Sequence, residues 1–264
     1  MPPLALMRRV PDSFVGCVAR RPPVPPLDPS LARRQQDGYR ARLEEGGFAV
    51  AMLTADEDHP DCAFVEDTVV VLGEGALVTR PGHPTRRGEV GPVAEALTAR
   101  RISVTVMESP ATLDGGDVLG AGGRLFVGES ERSNGAGRAA LEQFAAPRGF
   151  RVVAVPIHGV LHLKSAATAL DDQTVLLHPG SVDISAFRGL RLVPVGGDDP
   201  EAANVVRLPD GRILVAAHLP QTGVAVAAAG FTPVACDVSE FARADGGLTC
   251  LSIRLRDGLT RGTP

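Results

Sequence analysis

Several signatures that would assign a chemistry at once are missing from this sequence. It has no G-x-x-x-x-G-K-[ST] phosphate loop and no G-x-S-x-G nucleophile elbow. Gly120-Ala121-Gly122 lacks the third glycine of a dinucleotide fingerprint. It also precedes a strand-like run, Arg124 to Val127, instead of a helix. His158 and His162 have the i, i+4 spacing of a zinc pair, but the glutamate of H-E-x-x-H is absent. Gly159 would weaken a helix there, so no metal is expected. No apolar run approaches the roughly 20 residues that span a bilayer. The apolar part of Met1 to Met7 is too short for a signal peptide, and Arg8 and Arg9 follow it. A net charge of -4 argues against a nucleic-acid partner, which would call for a basic face. No C-x-x-C pair occurs among Cys17, Cys62, Cys236 and Cys250. Free thiols in a reducing cytoplasm are therefore expected, not a disulfide framework. The first three read as packing residues, with Cys62 near enough to Asp61 to border a site.

What is present favours a loop-rich α/β chain. There are 30 glycines and 22 prolines, and no tryptophan. At 264 residues and 44% hydrophobic content, the chain can bury a substantial core. One order of elements recurs. Thr68 to Leu72 and Ala76 to Thr79 flank Gly73-Glu74-Gly75 as a hairpin, followed by helical spacing over Glu89 to Ala99 and a strand over Ile102 to Met107. A second unit has strands Asp117 to Gly120 and Leu125 to Gly128, helix Asn134 to Ala146, and strand Arg151 to Val155. A third has Ala166 to Leu170, Thr174 to Leu177, a short helix near Asp183 to Arg188, and Arg191 to Val195. The fourth has Val205 to Leu208, Arg212 to Ala217, helix Gln221 to Ala229, and Phe231 to Val238. The fifth forms if the ends join: Leu251 to Leu255 beside Ala5 to Val10, then helix Leu31 to Leu43 and strand Phe48 to Leu53. Five ββαβ units predict a closed ring, because closure removes exposed sheet edges. One domain, residues 1–264, is expected as a five-bladed α/β propeller with pseudo-five-fold symmetry. Arg256 to Pro264 reads as a frayed tail. The Pro-rich segment Arg21 to Ser30 reads as a surface loop or a flap over the site.

The chemistry-bearing residues fall in equivalent places. Each unit's last strand connects to the next unit's first strand. Those five connections carry His59 to Asp67, Ala111 to Asp117, Gly159 to Ser165, Gly196 to Asn204 and Asp245 to Cys250. Pseudo-symmetry brings them to one end of the axis. They would deliver acids, an imidazole and a thiol to one pocket, which suits a cationic substrate attacked by sulfur. Asp198 and Asp199 can be read as mere decoration of the fourth connection. In the fifth, Gly246 and Gly247 supply backbone freedom. An alternating run follows as a strand, so Cys250 stands where loop meets strand. Arg86 and Arg132 each follow the second strand of their units and could clamp a carboxylate.

The sequence resembles the dimethylarginine dimethylaminohydrolases of the guanidino-group-modifying (pentein) superfamily. The resemblance spans nearly the whole chain. It rests on Phe64-Val65-Glu66-Asp67, Thr79-Arg80-Pro81-Gly82 with Arg86-Arg87-Gly88-Glu89, Leu113-Asp114-Gly115-Gly116-Asp117-Val118-Leu119, and Val127-Gly128-Glu129-Ser130 with Arg132-Ser133-Asn134. Leu161-His162-Leu163-Lys164-Ser165, Ala202-Ala203-Asn204 and Asp245-Gly246-Gly247-Leu248-Thr249-Cys250 complete it. The resemblance implies a five-fold ββαβ propeller, agreeing with the repeat count. It implies Cys250 as nucleophile, His162 as general acid/base and Asp114 as the acid completing the triad. Asp67 and Glu66 would hold the guanidinium. Asp61 and the backbone at Val18 would meet the α-amino group, Arg86 and Arg132 the α-carboxylate, and the backbone at Ala244 another part of the substrate.

The implied activity is hydrolysis of Nω,Nω-dimethyl-L-arginine or Nω-methyl-L-arginine to L-citrulline and an amine, through a covalent thiouronium. No cofactor, metal, nucleic acid or membrane is implied, and the chain would act as a monomer or homodimer. Two rivals remain open. One is an arginine deiminase or another guanidine hydrolase. The other is a binding protein, since the same fold serves as a ribosome anti-association factor. Arginine deiminases carry His-x-Asp after the catalytic histidine, whereas this chain has His162-Leu163-Lys164. That difference points to methylated substrates.

Overall fold

The computed structural model describes residues 2–197 and 199–255 of the chain. The fraying expected for Arg256 to Pro264, and any role of Asp198, lie outside the described residues. The chain opens with β1 (Leu4–Arg8), α1 (Pro29–Glu45) and β2 (Ala49–Leu53). The next unit has β3 (Val69–Leu72), β4 (Gly75–Val78), α2 (Val90–Thr98) and β5 (Ser103–Val106). It is followed by β6 (Val118–Ala121), β7 (Arg124–Glu129), α3 (Gly135–Ala145) and β8 (Arg151–Pro156). A single turn, α4 (Leu163–Ala166), leads into β9 (Ala167–Ala169), β10 (Thr174–Leu177), a 3-10 turn at Ile184–Phe187 and β11 (Arg191–Pro194). The last described unit has β12 (Val206–Arg207), β13 (Ile213–Ala216), α5 (Pro220–Ala228) and β14 (Pro233–Cys236). The short helix α6 (Ser239–Ala242), a 3-10 turn at Thr249–Leu251 and β15 (Ile253–Leu255) follow that unit.

These strands form five three-stranded sheets. In each, the middle strand pairs antiparallel with the inner strand and parallel with the outer one, and the crossover is a helix in four of the sheets and a 3-10 turn in the third unit. The ring closes as the repeat count requires. β15 pairs antiparallel with β1, Leu4 opposite Leu255 and Leu6 opposite Ile253, and β1 runs parallel to β2.

The middle strands are apolar along their centres because both of their faces are covered. Successive side chains point to opposite faces, and the core clusters follow that alternation. Leu125 and Val127 of β7 pack with Val70, Leu77 and Phe144 on one side. Phe126 between them packs with Val155, Val175 and Phe187 on the other. In β1, Leu6 packs with Val78 and Leu97, whereas Ala5 and Met7 join Tyr39 and Leu214. Each sheet thus shares apolar contacts with both neighbours. Burying one such side chain stabilises the fold by about 1.5–3 kcal/mol.

The elements end where their residues dictate. Asp28 caps α1 by accepting from Ser30 N, with Pro29 at the first helical position. Asn134 caps α3, its Oδ1 accepting from Gly137 N at 2.8 Å and from Thr112 N at 3.1 Å. The third unit has a 3-10 turn in place of a full helix, capped by Asp183 and followed by Gly189 at φ 88°. Thirteen residues separate β10 from β11, too few for a capped helix of several turns.

One glycine tests this packing directly. Alanine normally favours a helix over glycine by about 1 kcal/mol. At Gly137 of α3, however, a Cβ would collide with the Thr112 carbonyl oxygen. Gly137→Ala is therefore expected to lower stability by about 1–3 kcal/mol, the cost of overpacking. A thermal melt checks the sign, and a raised Tm would contradict the packing at α3.

Candidate active site

The five connections do meet at one end of the ring. A narrow pocket there, with about 20 Å³ of free space, is lined by Cys250, His162, Asp67 and Asp61, together with Arg86, Arg132, Val18 and Ala244. Two expected residues stand elsewhere. Asp114 is fully buried behind His162, its Oδ2 lying 3.0 Å from His162 Nε2. Glu66 sits in the same 3-10 turn as Asp67, Val65–Thr68, but faces a different cavity. Its Oε1 accepts from Lys164 Nζ and from Arg254 Nη2, both at 2.8 Å.

Each side chain is held by a local cause. Cys250 is carried on the 3-10 turn Thr249–Leu251, and the strand begins only at Ile253. The turn outcompetes the expected strand because Asn204 Oδ1 accepts from Thr249 N at 3.1 Å while Asn204 Nδ2 donates to Thr249 Oγ1. The two glycines before it answer to space, not to backbone angle. Neither has positive φ; Asp245 takes the left-handed conformation, at φ 56°. A Cβ on Gly246 would strike the Phe64 ring, and one on Gly247 would lie 2.6 Å from Asn204 Cγ. His158 and His162 do not share a helix, since Gly159 turns at φ 72° and α4 starts only at Leu163.

His162 sits just before α4, whose start is fixed by Asp117 Oδ1 accepting from Leu163 N at 3.0 Å. Asp117 Oδ2 in turn accepts from Ser130 and Ser133. Asp114 Oδ1 accepts from Gly82 N at 2.8 Å, leaving Oδ2 for His162. Asp67 Oδ1 accepts from Gly116 N, and Asp67 Oδ2 accepts from Arg86 Nη1 at 2.5 Å. Arg86 also forks onto Glu89 and donates to Phe64 O. Asp61 accepts from Val18 N with both oxygens. Arg132 Nη1 lies 3.9 Å from Asp114 Oδ2, with its side chain 14% exposed. Cys62 does not border the pocket, its thiol facing Arg9 O and Asp56 O.

The sequence did not single out Glu89, Leu161 or Arg254 as site residues. Glu89 and Leu161 belong to motifs already quoted, and Asn204 and Asp117 do too. Arg254 carried no signal, because an arginine on a short strand usually faces solvent.

The electrostatics define the resting state. Burial, with Asp67 and Glu66 nearby, pushes the Cys250 thiol up to about 12. The Gly247 N–H, which donates to Sγ at 3.4 Å, and Lys164 act in the opposite direction. Burial disfavours charge on His162, but Asp67, Asp114 and Asp117 outweigh it and raise the imidazole to about 9. Asp67 is opposed by burial but held at about 2 by His162 and Arg86. The site therefore rests as a neutral thiol beside a charged imidazole. A guanidinium arriving against Asp67 would favour the thiolate. One oxygen each from Asp67 and Asp114 and one nitrogen from His162 lie within 4.8 Å of one another, so this triad could hold a cation.

No protein-family model matches the chain. Similar proteins are nonetheless clear. An N(G),N(G)-dimethylarginine dimethylaminohydrolase of Streptomyces coelicolor is 43% identical over 231 residues, covering 88% of each chain. The chain belongs to the dimethylarginine dimethylaminohydrolase family. The Pseudomonas aeruginosa member is 30% identical over 230 residues, covering 86% of this chain and 89% of its own. A cysteine-to-serine variant of that enzyme, solved with citrulline, superposes with a TM-score of 0.89 at 27% identity, covering 96% of this chain and 99% of its own. The pentein α/β propeller expected of a dimethylarginine dimethylaminohydrolase is the fold seen here. No helix among the described residues is long and apolar enough to cross a membrane.

The resting charges carry a pH prediction. Because the Cys250 thiol is raised, its alkylation by iodoacetamide should keep accelerating from pH 7 through pH 10. Asp67→Asn removes an anion beside the sulfur, lowers the thiol's pKa and should speed alkylation at pH 8. Peptide mass spectrometry follows Cys250 itself. A plateau already reached at pH 7, or a slower D67N variant, would contradict this charge balance.

Proposed function

We propose that this protein hydrolyses Nω-methylated L-arginines to L-citrulline and an amine. The observation that carries the reading is the shared pocket. It holds a thiol, a charged imidazole backed by Asp114, and Asp67 on one side, with Asp61 and Arg132 among its other lining residues. Anions placed for a guanidinium, together with a separate acid and base for an amino-acid head group, suit this substrate class.

The roles follow from the chemistry. Asp67 orients the guanidinium and keeps it protonated. Asp61 and the Val18 backbone meet the α-ammonium, Arg132 and Arg86 the α-carboxylate, and the Ala244 backbone another substrate contact. Glu66 Oε2 is buried and accepts no hydrogen bond from the protein. That leaves it as an acceptor for a guanidinium N–H. The bound cation lowers the thiol's pKa, and the thiol proton is released. The Cys250 thiolate then attacks the central guanidinium carbon, forming a C–S bond. His162 delivers its proton to the substituted nitrogen, and the C–N bond breaks with loss of dimethylamine or methylamine. The imidazole, now neutral, takes a proton from water as the water's oxygen attacks the thiouronium carbon. The C–S bond breaks, and citrulline leaves with Cys250 restored.

The missing acid at position 164 favours methylated substrates. In place of an acid two residues after His162 there is a cation bound to Glu66. A free guanidinium would lack that acid as an acceptor for its N–H groups, at about 1–3 kcal/mol for each buried group left unpaired. A dimethylated nitrogen has no N–H to leave unpaired. The proposed setting is the cytoplasm, which suits the four free cysteines. We further propose one catalytic domain, working as a monomer or homodimer.

The deciding assay measures citrulline and dimethylamine from Nω,Nω-dimethyl-L-arginine, and from free arginine in competition. Methylated substrates should show the higher kcat/KM, and a ratio favouring arginine would make this protein a deiminase. Cys250→Ser should abolish turnover while keeping the melting transition. His162→Gly should suppress amine release far more than binding, since proton delivery matters in the transition state. Full activity in either variant would remove the thiol–imidazole mechanism.

A further inference from the structure

Arg254 stands on β15, just past the turn that bears Cys250. Its guanidinium is not part of the thiol pocket. Arg254, Glu66, Lys164, Thr249 and Ser252 line a separate axial cavity of about 210 Å³, framed by the inner strands of the ring. Arg254 Nη1 donates to Thr249 O at 3.1 Å, the carbonyl immediately before Cys250. It also donates to Ser252 O and Ser252 Oγ, both at 3.0 Å. Tyr39 Oη lies 2.8 Å from the same Ser252 Oγ. The other arm, Nη2, donates to Glu66 Oε1 at 2.8 Å. Its side chain is 17% exposed, so these contacts are largely shielded from water.

The geometry of a planar fork gives these contacts their meaning. One guanidinium grips both the nucleophile's turn and a carboxylate from another blade, fixing the distance between them. Glu66 Oε1 is held by two cations, Arg254 and Lys164. With that oxygen fixed, the carboxylate cannot rotate, and the direction of Oε2 is set. Glu66 Oε2 is buried with no hydrogen-bond partner from the protein, and the Glu66 charge acts on the Cys250 sulfur.

We infer, resting on the hydrolase reading above, that Arg254 is a positioning residue. Acting from the cavity side, it braces the Cys250 turn against Glu66 and holds that carboxylate's charge at a fixed distance from the sulfur. Its removal would let the nucleophile and the carboxylate drift apart. Removal would also strip Glu66 of one counter-charge, so the remaining anion would bear more strongly on the thiol.

A double-mutant cycle over Glu66→Gln and Arg254→Met tests this. A misplaced reacting group can cost about 10²-fold, and the R254M variant should lose kcat to that degree. If Arg254 acts through Glu66, the E66Q/R254M double variant should be no slower than the slower single variant. A second arm needs no substrate. R254M should slow alkylation of Cys250 at fixed pH, and that slowing should vanish in the E66Q background. Losses that multiply independently in both arms, or wild-type kcat in R254M, would overturn the role. A thermal melt accompanies every variant. Where R254M loses its cooperative transition, R254K, which keeps the charge but not the fork, takes its place in the cycle. Wild-type citrulline release judges the hydrolase reading by itself. The alkylation arm judges the brace whatever that release shows.

Discussion

Two adjacent carboxylates, Glu66 and Asp67, are buried in one turn of 3-10 helix, and much of the site exists to accommodate them. A buried anion is costly unless it is paired and hydrogen-bonded. Neighbouring positions on this turn send their side chains to different places, so each acid needs its own cations. Asp67 meets Arg86 and the charged His162. Glu66 meets Lys164 and Arg254. These partners come from three different parts of the ring, the loop after β4, the connection with His162 and Lys164, and β15, so pairing two charges draws the ring's blades together at one end. The same pairing sets the chemistry. Asp67 holds the imidazole charged, and burial together with the two acids keeps the resting thiol neutral.

The ring makes that convergence possible. Each blade covers its neighbour through the middle strand, and the helices lie on the crossovers. The axial end is left to the connections. Backbone crowding there is severe, which is why small residues recur. Gly116 gives Asp67 and His162 room to approach, since a Cβ would lie 2.8 Å from Asp67 Oδ1 and 2.9 Å from His162 Nδ1. Asn204 serves from the fourth connection by fixing both Lys164 O and the Thr249 turn. A residue with no catalytic chemistry thus sets the position of Cys250.

Most of the architecture was legible from the residues. Strands buried on both faces read as short apolar runs, and tight turns between them read as glycines, so the repeat could be counted. Boundaries were less legible where a tertiary contact competes with local pattern. Leu251 to Leu255 alternates as a strand should, but Asn204 captures Thr249 and the strand starts later. Gly246 and Gly247 looked like conformational hinges. Their need for glycine comes instead from Phe64 and Asn204, which are distant in sequence. Glu66 and Asp67 looked equivalent because they are adjacent, and only the fold separates the sides they serve.

By itself, the sequence determined the number of blades, the closure of the ring by its two ends, and the residue types gathered in the five connections. These depend on periodicity and order, which one chain displays directly. The tertiary structure decided the pairings: which oxygen of Asp114 meets His162, which cations hold Glu66, and that Arg254 ties the Cys250 turn to a carboxylate 188 residues away. Such pairings depend on distances of a few ångströms between blades. Charges buried side by side have energies set by those distances, and no local pattern in the sequence encodes them.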